Sequence, residues 1–90
     1  MRMHVMSALE VAAMRAGMSH VEIARACGVT KQAMSRRFDL KKNVSVGVAA
    51  EIAGVLGYEL ALVPAGEKLP EGSMLIEAAL ADKHGRGGRR

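Results

Sequence analysis

Residues Ser19–Phe38, SHVEIARACGVTKQAMSRRF, limit the possible folds more than any other part of the chain. Ser19 and Glu22 stand at the S-x-x-E spacing of a capping box, in which each side chain satisfies a free backbone N–H of a helix start. Met18 and Ile23 occupy the flanking positions of a hydrophobic staple. Thr30 is placed to cap a second helix, and Val29 and Met34 repeat the staple spacing. Gly28 lies between them, where a tight turn demands a positive φ. Ala24, four residues before Gly28, is small enough to let two helices cross closely. The spacing predicts two short helices at a fixed angle, the first ending at Ala26 or Cys27. The outer side of the second carries Lys31, Gln32, Ser35, Arg36 and Arg37.

Charge follows this pattern. Residues 15–42 hold seven Lys and Arg against two acids, whereas residues 43–82 hold one Lys against six acids. Lys83, Arg86, Arg89 and Arg90 make the end of the chain basic again. A polyanionic partner would meet the first segment and avoid the second. Half of the 90 residues are hydrophobic, but Phe38 and Tyr58 are the only aromatics. The core must therefore be made of Ala, Val, Ile, Leu and Met, which favours closely packed short helices. No apolar run approaches the roughly 18 residues of a membrane span. The start of the chain lacks the pattern of a secretory signal. The single Cys27 offers no internal disulfide, so the expected location is the cytoplasm.

The other elements are read in the same way. Residues 1–6 read as frayed or as part of an early first helix. Ser7 and Glu10 suggest a capping box, with a helix from about Ala8 to Ala16 ended by Gly17. Asp39–Asn43 reads as a loop. Ser45 can cap a fourth helix whose buried face is Ala49, Ile52, Ala53 and Leu56, with Gly57 as its end. Tyr58–Val63 has β-type alternation and stops at Pro64. Ser73–Ala81 admits two readings, a strand near Met74–Ile76 paired with that run as a hairpin, or a short helix; the strand is favoured. Residues 1–57 then form the helix-turn-helix domain, 58–82 a strand-forming dimerisation extension of it, and 83–90 a disordered basic tail.

A basic outer face on a rigid, capped two-helix unit suits a helix that enters the DNA major groove. Gln32 can bond adenine in a bidentate manner, Lys31 can reach guanine acceptors, and Ser35 is adaptable. His20 and Thr30 sit at helix starts, where free N–H groups attract phosphate. Arg36, Lys41 and Lys42 are candidate phosphate contacts, and Arg37 either joins them or pairs with Asp39. The bland reading of each is a solvated charge; the capped frame around them argues against it. Three scattered His and one Cys lack metal-ligand spacing, so no metal or other cofactor is expected. Cys27 reads as a small core residue beside the turn. No nucleophile–base pair and no phosphate-binding glycine loop stands out, so an enzyme is not expected.

The residues Ser19-His20-Val21-Glu22-Ile23-Ala24, Cys27-Gly28-Val29-Thr30 and Met34-Ser35-Arg36 resemble the Cro/phage-repressor family of helix-turn-helix regulators, across about residues 7–57. LGYELALVP with LPEGS after it resembles extensions on small regulators of phages and mobile elements. The resemblance implies a mainly α, lambda-repressor-like domain of four to five helices, here with a short C-terminal β-strand or hairpin replacing the fifth helix. It also implies that Lys31, Gln32 and Ser35 read bases. The expected activity is that of a double-stranded DNA-binding transcriptional regulator, a repressor, acting as a homodimer on a palindromic operator. An exposed strand edge invites pairing with its copy, so Tyr58, Leu60 and Leu62 are the expected dimer contacts. The alternative is an antitoxin or other interaction module that binds a protein partner and autoregulates through its helix-turn-helix.

Overall fold

The computed structural model describes residues 2–40 and 44–77. It is mainly helical. The elements run β1 (Arg2–Met3), α1 (Val5–Ala16), α2 (His20–Cys27), α3 (Lys31–Asp39), α4 (Val46–Val55) and β2 (Leu75–Ile76).

Local chemistry accounts for most helix boundaries. The Ser19 side chain accepts from the Glu22 N–H at 3.2 Å, and the Glu22 carboxylate accepts from the Ser19 N–H at 2.8 Å. Thr30 Oγ1 accepts from the Ala33 N–H, and Ser45 Oγ from the Val48 N–H, both at 3.1 Å. Helices α1, α2 and α4 close with one hydrogen-bond pattern. Met18, Val29 and Tyr58 donate their N–H back to the carbonyls of Ala13, Ala24 and Ala53. The glycine just before each donor turns the chain out of the helix. At Gly28, φ is +75°, a conformation that costs other L-residues about 1–2 kcal/mol. An added Cβ there would meet nothing within 4 Å, so backbone conformation alone selects glycine.

The four helices enclose one apolar core. Phe38, Met6, Ile23, Met34 and Ile52 are its largest fully buried side chains. Leu9, Ala12, Ala13, Ala24, Ala49, Ala53 and Leu56 fill in around them, with Met18, Cys27 and Val29 partly buried against them. Helix α2 packs on α3 and α4, and α1 on α3 and α4. Among the described residues no polar side chain is buried. Helices α1, α2 and α3 each contribute one apolar stripe and leave a polar face for other work, whereas Glu51 is the one polar side chain of α4.

Three expectations are corrected. First, α1 starts a turn early. Ser7 and Glu10 do not cap it; His4 does, its Nδ1 accepting from the Met6 N–H at 3.0 Å. Fully buried Met6 continues the stripe of Leu9 and Ala13 towards the N-terminus, and burying it outweighs the Ser7 signal. Of the two readings of this start, the early helix holds for Val5 and Met6, while Arg2–Met3 is a strand and His4 the cap; α3 runs through Asp39 before its own cap at Leu40.

Second, Tyr58–Val63 is not a strand. The Tyr58 N–H is used to close α4, bonding the Ala53 carbonyl at 2.8 Å, and the following residues have no ladder partner among the described residues. Third, Leu75–Ile76 does form a strand, but not a hairpin. It pairs in parallel with β1, Arg2 opposite Leu75 and Met3 opposite Ile76, and the Glu77 N–H bonds the Met3 carbonyl at 2.9 Å. Arg15, in the last turn of α1, touches both ends of the intervening run. Its Nη1 donates to the Tyr58 hydroxyl at 3.3 Å and to the Gly72 carbonyl at 3.1 Å. Gly72 thus lies beside the end of α1, and β2, three residues on, contacts both α1 and β1. The tail reading for 83–90 and the helix alternative beyond Glu77 lie outside the described residues.

Candidate nucleic-acid interface

Helix α3 turns Met34 and Phe38 into the core, which fixes what faces outward. Lys31, Gln32 and Arg36 are exposed, while Ser35 and Arg37 are half-buried. Gln32 and Arg36 are four apart and share one row; Lys31, Ser35 and Asp39 form the row beside it. Helix, cap and turn thus bring together five of the residues singled out from the sequence: Thr30, Lys31, Gln32, Ser35 and Arg36. Thr30 is exposed at the N-cap, its side chain already accepting from Ala33. Exposed Asp39 adds a carboxylate at the far end. Lys41 and Lys42 lie outside the described residues.

Arg37 sits apart from this face. It is two residues from Asp39, and side chains at that separation do not face each other on a helix. It lies on the flank near Cys27. Desolvation, followed by the negative charge of Glu51, pushes the Cys27 thiol up, and the Arg37 charge opposes this in part. Cys27 is a half-buried free cysteine, as suits a small residue beside the turn.

His20 is less available to a phosphate than its position at a helix start suggests. Its ring stacks on Phe38, with centroids 4.3 Å apart and planes 14° from parallel. Its Nε2 lies 3.5 Å from Glu10 Oε2, and its Nδ1 lies 3.5 Å from Ser35 Oγ. One imidazole therefore touches α1 and α3 from the first residue of α2. Nothing in the local sequence announces the part played by Glu10, because the contact joins residues ten apart on different helices.

The Ser19 hydrogen bonds, first the backbone one, hold the Glu22 carboxyl below its ordinary range, with a smaller contribution from Arg25. The first turn of α2 is thus anchored by a group that is charged at neutral pH.

The residues expected to form a dimer divide. Tyr58 is half-buried and engaged by Arg15. Leu60 lines an open apolar groove of about 280 Å³ with His4, Val5, Val44, Val46 and Ile76. Leu62 is fully exposed, and Val63 is nearly half exposed beside it. Sequence reasoning missed Arg15 and His4, whose roles depend on contacts made only after the chain has folded. Among the described residues no group of three His, Cys, Asp or Glu could hold a metal ion. No helix among them is long and apolar enough to cross a membrane. No family model, curated protein or solved structure matches the chain.

Proposed function

We propose that this protein is a sequence-specific double-stranded DNA-binding regulator that represses transcription by occupying promoter DNA, in the manner of the Cro/phage-repressor family it resembles. The observation that carries the reading is the outer face of α3. Lys31, Gln32 and Arg36 project from a helix whose start, turn and buried side are all fixed. Such a face offers bidentate and cationic groups to base edges at little ordering cost. Lys31 and Gln32 read bases, with Ser35 beside them; Arg36 and the helix start at Thr30 hold phosphates. Lys41 and Lys42 follow α3 in the sequence and extend the basic run. The protein is not an enzyme in this reading, needs no cofactor, and works in the cytoplasm.

One such module buries too little surface for strong specificity. A homodimer on a palindromic operator supplies the rest, with half-sites about one helical turn apart. The exposed apolar run at Leu60, Leu62 and Val63 is the surface for that dimer. The same run supports a second reading, an antitoxin that covers these leucines with a protein partner while α3 binds its own promoter.

Selection of bound sequences from random duplex DNA tests the main reading, and an inverted repeat is the expected product. Absence of any enriched motif at low salt would end it. Sedimentation of the pure protein separates the two readings, because a stable homodimer leaves the leucines covered without a foreign partner.

A further inference from the structure

The surroundings of His20 go one step further, and the step rests on the DNA-binding reading. His20 is about one-quarter exposed at its side chain, stacked on Phe38 and held between Glu10 and Ser35. A carboxylate only accepts hydrogen bonds, so a neutral ring that bonds Glu10, 3.5 Å from Nε2, carries its proton on Nε2. In such a ring Nδ1 is a bare acceptor, and Ser35 Oγ, 3.5 Å away, is placed to donate to it. A serine has one proton. Spent inward on His20, it leaves only oxygen lone pairs for anything that approaches α3 from outside.

We infer that His20 is a positioning residue that sets the hydrogen-bonding sense in which Ser35 meets a base. With the imidazole neutral, Ser35 is an acceptor. It then suits the amino groups that adenine and cytosine show in the major groove and opposes the acceptors of guanine and thymine. When a proton from solvent charges the ring, both nitrogens donate. Nδ1–H then bonds Ser35 Oγ, and the hydroxyl proton turns outward to guanine or thymine acceptors. Among the described residues the groups facing the ring are Glu10 from α1 and Ser35 and Phe38 from α3. Glu22, on the same helix as His20, is bent back onto the Ser19 N–H.

Two measurements on the full chain test this. Nitrogen NMR of labelled imidazole, without DNA and at about pH 8, should find the neutral His20 proton on Nε2. A proton on Nδ1 overturns the inference. Sequence selection is then run at about pH 8 and at about pH 5. One position per half-site should move from adenine or cytosine to guanine or thymine, a change of roughly 10-fold in relative preference. His20→Phe keeps a ring for the stack on Phe38 but no nitrogens, and it should bind with a pH-independent preference, as should Ser35→Ala. Circular dichroism at both pH values checks that each variant keeps its helices. An enriched motif that is unchanged by pH, or a switch that survives in His20→Phe, overturns the role of His20 and leaves DNA binding standing. If no sequence is enriched at either pH, DNA binding falls, and the assignment to Ser35 falls with it.

Discussion

Single residues decide how rigid the two-helix unit is, and Gly28 is the clearest case. Its φ of +75° is unstrained for glycine, and the space around it is open. Gly28→Ala should therefore cost on the order of 1 kcal/mol through backbone strain alone, seen as a lower denaturation midpoint with an unchanged m-value. A neutral or stabilising result would show that the turn does not need its left-handed residue. Glu22 is the second case. Its hydrogen bonds to Ser19 lower its folded-state pKa below the unfolded value. The stabilisation is present above the unfolded carboxylate range and is lost as pH falls through the folded pKa. Glu22→Gln retains a side chain that can accept from Ser19 but has no carboxylate to titrate. Its stability should decline less between about pH 5 and pH 3, across the ordinary carboxylate range, than that of the parent chain. Chemical denaturation followed by circular dichroism measures the difference, and parallel curves would contradict the assignment.

Helices α2 and α3 were legible in the sequence because their determinants are local. A cap, a staple and a glycine act within five residues of one another, and no tertiary contact is needed to read them. The start of α1 was not legible in that way. Ser7 and Glu10 form a valid capping pattern, yet burial of Met6 extends the helix past it to His4. Tyr58–Val63 misleads for a related reason. Alternation records that a segment could line a sheet, but a strand also needs a partner, and β1 is paired with Leu75–Ile76. On α3 the exposed face was readable from the spacing, since burial of Met34 and Phe38 fixes the rotation of the helix. The inward turn of Ser35 was not, because it depends on His20 and through it on Glu10. Variants of this helix should divide by chemistry. Lys31→Ala and Gln32→Ala should each relax preference at particular base positions, at roughly 1–3 kcal/mol for a good bidentate contact. Arg36→Ala should instead weaken all sequences alike and lower the slope of log affinity against log salt by about 1. Binding titrations on matched and mismatched duplexes separate the two classes. Loss of base preference in Arg36→Ala would exchange the roles.

At the scale of the whole molecule, the basic and acidic halves of the sequence map onto different parts. The first holds the outer face of α3, and the second holds the run after α4 that Arg15 ties back at Tyr58 and Gly72. Arg15 touches both ends of an exposed stretch in which Tyr58 packs against the core while Leu60, Leu62 and Val63 stand outside it. Leu62 is its extreme, wholly open to solvent. Replacing it should therefore leave the fold intact and affect only association. If Leu62 is buried between two copies, a two-fold interface buries it twice, at about 1.5–3 kcal/mol each, so Leu62→Ser should weaken the dimer on the order of 100-fold or more. Serine adds no charge, so any loss of operator affinity comes from the lost second half-site and not from repulsion by phosphate. The expected result is a monomer in sedimentation equilibrium with unchanged helix content and much weaker binding to a two-half-site duplex. Binding to a single half-site should stay close to that of the parent protein. A Leu62→Ser protein that remains a dimer would place the interface elsewhere, and the groove lined by Val44, Val46, Leu60 and Ile76 is the next surface to mutate. A parent protein that is already monomeric would instead favour the reading in which a different protein covers these leucines.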